Sequence, residues 1–387
     1  MNDVELQSEM ERAGCVLDRN KSYSTRLFRC GCGQHDWTAA ACRDKADDAL
    51  KLFASAVSWW HLNRAVGAKK LTYIVGQEDQ GRTEELVYAL STLLPLHSLD
   101  VNLEVDFHRP NVKQRQDVAD PKWVQRMRDR KEWEAPGIAR RLKDEAGEPG
   151  FRWYRPVTGK QWSGRLDGLE VCSITEGGAS IEFNVGRPGQ GGNESELRER
   201  FNQLVDSNKE NRVVSDISRA VAILKQLALD PTMQKLLAGT EHRLEARVLR
   251  GAVGLETAEG RKLLPVEREC PFQFPARWWP AGRPRYIDLM MRDGEIPWIV
   301  ELKTGDSHGA YYREGIVQAA LYREYIRRSP ILDPWFAEKR LARQRCRALL
   351  VVEEMKGKPR PVDNHRDVAR EFCVDYLELS QEVVRGR

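Results

Sequence analysis

No stretch of this 387-residue chain stays apolar for the roughly 18–20 residues that span a membrane. The opening segment, MNDVELQSEMERAG, has no basic region followed by an apolar one. No secretory leader is therefore expected, and the protein reads as cytoplasmic with no membrane contact. No internal repeat, Walker motif, GxGxxG or helicase motif occurs, which removes the commonest nucleotide-binding loops. Neither sign of charge dominates: 62 Lys and Arg against 58 Asp and Glu leave +4. That balance neither requires nor excludes nucleic acid, because distribution matters more than total.

Cysteine is present but scattered, at 15, 30, 32, 42, 172, 270, 346 and 373. Free thiols are the default for a chain of this kind. One cluster, RCGCGQHDWTAAAC, brings Cys30, Cys32, His35 and Cys42 close in sequence. Its C-x-C spacing is not the C-x₂₋₄-C of common zinc knuckles, so a strand and turn is expected before a metal site.

Hydrophobic residues make up 41% of the chain, ordinary for a globular protein, and the length suits two domains or three. The Gly-rich, polar stretch GRPGQGGNESELRER reads as a linker, which divides the chain into domains 1–190 and 200–387. In the first domain, 44–66 and 83–94 read as helices, and 71–75 and 101–107 as strands, which suggests a small α/β or α+β unit. Residues 120–147 are charged and helical in pattern. FRWYRPV, LEVCSI and ASIEFNVG read as β-structure, the last two joined by a hairpin around Glu176-Gly177-Gly178. The loop VGQEDQGRTEE could offer Gln77, Asp79 and helix N-terminal amides to a small ligand, but most such loops only connect.

The second domain reads as helix, three strands, helix, strand: 233–251, LLPVEREC, PRYIDLMM, WIVELK, GIVQAALYREYI and RALLVVEE. WIVELKTG sets Glu301 and Lys303 in an apolar run. Charges in such a strand are costly unless paired or used. Asp293-Gly294 between the two middle strands matches a two-residue type I′ hairpin turn. That register sets Asp288 across from Ile299, on the face of Ile299, Glu301 and Lys303, and diagonal to Glu301 at about 7–8 Å between Cα atoms. The opposite face carries Trp298, Val300 and Leu302 and reads as buried, which leaves the charged face outside the core. Two carboxylates so close repel unless a cation sits between them. Their oxygens suit Mg²⁺ or Mn²⁺, and a neighbouring lysine can orient an attacking water or stabilise phosphoryl charge. The alternative is a Glu–Lys pair on a solvated edge strand.

On these residues, residues 236–355 resemble the PD-(D/E)XK nuclease superfamily. IDL…ELKTG…QAALY is more narrowly similar to its RecB-like branch. The resemblance implies a restriction-endonuclease-like αβββαβ core. It implies Asp288 as first acid, Glu301 and Lys303 as the E-x-K, and Gln318 and Tyr322 as a Q-x-x-x-Y that steadies site and substrate. It also implies a glutamate from the preceding helix. TEHRLEARVLRGA offers Glu241 and Glu245, and Glu245 is favoured because it flanks the apolar Leu244–Val248 row; Glu241 or a plain solvated face is the alternative. Asp288, Glu301 and Glu245 would then be the metal ligands. The cysteines after the core do not match the iron–sulfur arrangement of some relatives, so no cluster is expected.

The expectation is a divalent-metal nuclease acting on nucleic acid, DNA before RNA, with genome defence suggested by analogy alone. Trp278, Trp279, Tyr311 and Tyr312 flank the site and could stack on bases or simply pack an edge. The basic run RRSPILDPWFAEKRLARQRCR could follow phosphates or be a solvated helix face. The first domain would then recognise a partner or small ligand, and an oligomer is open. The rival is a silent or partner-gated nuclease fold serving as a nucleic-acid-binding or scaffold subunit.

Overall fold

The computed structural model describes residues 136–154, 161–175, 178–186, 193–206, 209–237, 240–266, 274–276, 285–304, 310–354 and 364–385. Before residue 136 it describes 16–18, 26–29, 36–41, 70–75, 101–105 and the single or paired positions 8, 11–12, 54, 57–58, 119, 121–122 and 124–125. The cluster Cys30, Cys32, His35 and Cys42, the helix expected over 83–94, the loop after residue 75, and Trp278 and Trp279 lie outside the described residues.

The chain is mixed α/β. Strands β1 (Val16–Asp18), β2 (Arg26–Arg29), β3 (Asp36–Ala41), β4 (Lys70–Val75) and β5 (Val101–Val105) form one sheet in chain order. β3, β4 and β5 run parallel, and β1 and β2 add antiparallel strands at one side.

A second sheet follows helix α1 (Gly137–Ala146): β6 (Phe151–Tyr154), β7 (Gln161–Leu166), β8 (Leu169–Thr175), β9 (Ile181–Phe183) and, after helix α2 (Glu194–Val205), β10 (Val213–Val214). The β8–β9 hairpin matches expectation. The β7–β8 hairpin is an addition to the expected elements, and its turn is a plain Asp-Gly. Asp167 at φ 46° and Gly168 at φ 86° have the positive φ that a type I′ turn requires.

Helices α2, α3 (Ile217–Leu229) and α4 (Pro231–Leu237) do not belong with the C-terminal unit. Phe201, Val205, Ile217, Ala220, Leu224, Met233 and Leu237 share one buried core with Phe151, Trp162, Ile174 and Phe183. The divide expected near 190–200 therefore falls inside this layer, and the change of core comes between Leu237 and Leu244. Glycine and polar composition marked a loop there. The apolar faces on either side of it nonetheless need each other for burial.

The C-terminal sheet begins after helix α5 (Glu241–Leu249), which Thr240 caps by accepting from the Arg243 amide. Its strands are β11 (Leu255–Glu256), β12 (Lys262–Pro265), β15 (Leu289–Asp293), β16 (Ile296–Lys303), β17 (Arg347–Glu353) and β18 (Asp375–Leu379), in that spatial order. A separate ribbon pairs β13 (Phe274–Ala276) with β14 (Arg285–Ile287). Between β16 and β17 run helix α6 (Ala310–Arg327) and the short α7 (Asp333–Glu338), and α8 (His365–Glu371) and α9 (Gln381–Arg385) flank β18. β16, β17 and β18 are parallel, and β12 and β15 antiparallel.

Both faces of this sheet are covered. Leu244 and Val248 of α5 and Val384 of α9 pack on Trp298, Val300 and Leu302. Helix α6 covers the face of Glu301 and Lys303, with Gly315 directly over Lys303. Glu301 and Lys303 are thus 3% and 5% exposed, so the charged side of WIVELK does enter the interior. Alternation correctly separates the two faces but cannot say that a helix closes over both.

Candidate active site

Three elements bring the predicted residues together. β15 and β16 form a hairpin whose loop is Gly294-Glu295, one residue later than expected. Asp293 pairs with Ile296, Met290 with Ile299 and Leu289 with Val300. Gly294 at φ 57° takes the first central position, where a type II′ turn places glycine. Continuing that register sets Asp288 opposite Glu301, not Ile299. Asp288 itself breaks the strand between β14 and β15, and its Oδ2 accepts from the Leu302 amide at 2.8 Å. A side chain thus does the work of a ladder carbonyl and holds the carboxylate at the charged face.

On β16, Lys303 Nζ donates to Glu301 Oε1 at 2.7 Å. Helix α5 adds Glu241, whose Oε1 accepts from the Thr304 amide at 3.2 Å and from the Tyr311 hydroxyl. Tyr311, at the start of α6, also turns its ring toward Lys303, with Nζ 4.7 Å from the centroid. Glu245 is directed elsewhere. It accepts from the Tyr154 hydroxyl at 3.3 Å and lies 3.7 Å from His242 Nδ1, at the contact with the second sheet. The glutamate of α5 that joins the cluster is therefore Glu241. Depth in the apolar row argued for Glu245, but depth here leads toward the neighbouring sheet. Asp167 to Arg250 at 2.7 Å strengthens the same contact.

Gln318 and Tyr322 lie on the face of α6 that also carries Tyr311 and Gly315, at helical spacings of three and four. Gly315 permits the close approach: a Cβ there would meet Lys303 Cγ at 2.9 Å and Leu350 Cδ1 at 2.8 Å. Gln318 Oε1 is buried without a hydrogen-bond partner. Tyr322 is buried. Tyr312 is a core residue whose hydroxyl donates to the Glu353 carbonyl at 2.8 Å, so it offers no stacking surface.

Electrostatics follow from this crowding. Three carboxylates, Asp288, Glu301 and Glu241, surround one ammonium. Burial first, then Glu301 and Glu241, push the Asp288 carboxyl well above its usual range, and Lys303 and the Leu302 amide only partly oppose them. Burial pulls Lys303 down, yet Glu301, Glu241 and Asp288 outweigh it and hold its pKa well above the ordinary lysine value. Lys303 is an ammonium at neutral pH, suited to donate hydrogen bonds and stabilise charge, not to act as a base. Burial and Glu241 raise the Tyr311 hydroxyl.

A site with this surplus of carboxylate attracts either a proton, as the raised Asp288 pKa expresses, or a hard cation. The donor chemistry fits Mg²⁺ or Mn²⁺. Lys303 bonds one of these carboxylates, Glu301, and among the described residues no group of three or more His, Cys, Asp or Glu is already placed around a metal position. Within the basic run that starts at the end of α6, one arginine is taken up by the fold. Arg343 is buried, donating to Asp333 Oδ1 at 2.6 Å and to the Ile326 carbonyl at 2.8 Å, so it cannot line a phosphate track.

Among the described residues no helix is long and apolar enough to cross a membrane. No protein-family model matches this chain, and no curated protein matches it.

Proposed function

We propose that the C-terminal unit is a divalent-metal nuclease of the PD-(D/E)XK type that hydrolyses phosphodiester bonds, in DNA before RNA. The observation that carries this reading is the convergence of Asp288, Glu301 and Glu241 on the buried Lys303. A purely structural sheet has no use for three acids around one ammonium, because each buried charge costs desolvation. The element order from α5 to β17, a helix, antiparallel strands, a helix and a parallel strand, supports the restriction-endonuclease-like αβββαβ core. The site lies at the C-terminal end of β16, where open α/β sheets usually hold ligands.

Asp288, Glu301 and Glu241 would supply the metal's oxygen ligands. Mg²⁺ or Mn²⁺ supplies Lewis acidity toward phosphate oxygens when bound. Lys303 donates to the attacking water or to a phosphate oxygen, and its raised pKa keeps it charged for that task. Tyr311 fixes Glu241 through its hydroxyl. Gln318, with its free buried oxygen, orders water or substrate on the same helix face. The test is a Mg²⁺ and Mn²⁺ digestion panel on linear and circular, single- and double-stranded DNA and RNA, with Lys303→Met as control. Equal products from both proteins, or none from either on any substrate, would end the catalytic reading.

The gated reading rests on one observation: Lys303 Nζ is bonded to Glu301 Oε1 at 2.7 Å, so the ammonium engages a carboxylate that a metal would need. The site then opens when a partner or ligand engages the N-terminal region. Cleavage by the full chain that appears only after a cell extract or nucleic-acid effector is added would favour it.

A further inference from the structure

A pocket of about 490 Å³ lies at the other end of the C-terminal sheet. Arg347 and Asp375 on its wall begin the parallel strands β17 and β18, whereas Lys303 sits beside Val352 near the far end of β17. Five residues of strand separate the two, about 17 Å. The two sites are therefore distinct.

The lining is unusually basic. Arg323 and Arg327 from the end of α6, Arg347 from β17, and Arg366 and Arg370 from α8 all face it, against the single carboxylate of Asp375. Each of the five has a carboxylate partner, but the pairs are shared, long or solvent-exposed. Arg366 meets Glu378 at 2.9 Å and Arg370 meets Asp367 at 3.1 Å at the surface, where ion pairs are weak. Glu324 alone serves Arg323 at 2.8 Å, Arg327 at 3.4 Å and Arg328 at 3.7 Å. Arg347 reaches Glu259 and Asp375 only at 3.5 and 3.6 Å, too long for strong charge-assisted bonds. Arg323 is 2% exposed and held rigid by the Phe372 and Cys373 carbonyls, at 2.8 and 2.6 Å. A buried guanidinium and solvent-exposed ones, whose weak surface pairs can be exchanged, form an anion receptor, since Arg forks match phosphate oxygens. The volume falls within the range of small-molecule sites.

We propose that this pocket binds a compact, multiply charged phosphate, with the charge of a diphosphate. That phosphate belongs either to a free small molecule or to the phosphorylated end of a nucleic-acid strand. The inference does not depend on the nuclease reading, and its test reads binding, not cleavage.

The full chain is titrated calorimetrically, without added metal, with pyrophosphate, a nucleoside diphosphate, and single-stranded oligonucleotides carrying a 5′-phosphate or a 5′-hydroxyl. Saturable binding is expected, weakened about tenfold or more by Arg366→Gln with Arg370→Gln. These side chains are 64% and 80% exposed, so the fold should tolerate the change. Arg141→Gln with Arg198→Gln removes the same charge from the surface of the middle layer and should leave affinity unchanged. Cys373 is exposed on the pocket wall, so ligand should slow its alkylation, mapped by peptide mass. Tighter binding of the free diphosphates identifies a small-molecule site, and preference for the 5′-phosphorylated strand identifies a strand end. Three results overturn the proposal: no saturable binding at millimolar ligand, equal loss in both double variants, or ligand-independent alkylation of Cys373.

Discussion

The ammonium of Lys303 and the carboxylate of Glu301 are bonded at 2.7 Å, two residues apart on one strand, with both side chains almost wholly buried. Strand geometry puts such neighbours on one face, and α6 seals that face. Removing one partner leaves the other charged in the interior, which costs about 3–5 kcal/mol. Lys303→Ala should therefore lower the melting temperature of the full chain as well as abolish cleavage. Adding Glu301→Gln should restore much of the stability and none of the activity. Differential scanning calorimetry and a cleavage assay read the two separately.

Glu241 and Glu245 stand on one helix with different partners. Glu241→Gln should reduce metal-dependent cleavage by about 10²-fold or more, the scale for losing an active-site hydrogen-bond or charge contact. Glu245→Gln should leave the cleavage rate near wild type and lower stability by about 1 kcal/mol through the Tyr154 bond. Reversed effects would return Glu245 to the site.

Asp288 carries a pH signature. Its pKa is raised in the folded chain, so the folded state keeps a proton that the unfolded state has already released. Stability contributed here is lost as pH rises above about 3.9, the unfolded value, and through the folded one. Asp288→Asn in metal-free protein should melt at higher temperature than wild type at pH 7, with the advantage gone near pH 4. Mg²⁺ or Mn²⁺ should raise the melting temperature of wild type but not of the variant. A thermal-shift series over pH and metal decides it.

Gly315 is the point where α6 meets Lys303. Gly315→Ala gains about 1 kcal/mol of helix propensity but overpacks a closed site, at about 1–3 kcal/mol. A small net destabilisation is expected. Because the new methyl presses on Lys303 Cγ, cleavage should fall more than stability. Unchanged activity would mean that Lys303 need not hold this position.

Much of the C-terminal unit is legible locally. The alternation in WIVELK separates Trp298, Val300 and Leu302 from Glu301 and Lys303, and the apolar spacing of QAALYREYI announces a helix. The β7–β8 hairpin is legible too, in Asp167-Gly168 between the alternating QWSGRL and LEVCSIT. The hairpin register was off by one residue in its loop, since glycine can take either central position. Only the paired strands decide between them.

Local pattern alone settles which residues share a face and where strands turn, because periodicity and φ preferences act over a few residues. Which faces meet is decided by the whole fold. Burial assigns α2, α3 and α4 to the core of the second sheet in spite of the Gly-rich composition before them. It turns Glu245 toward Tyr154 and Glu241 toward Tyr311, and closes α6 over a lysine that the strand pattern would have left in water. These outcomes depend on contacts between residues far apart in the chain, and no short window of sequence contains both partners.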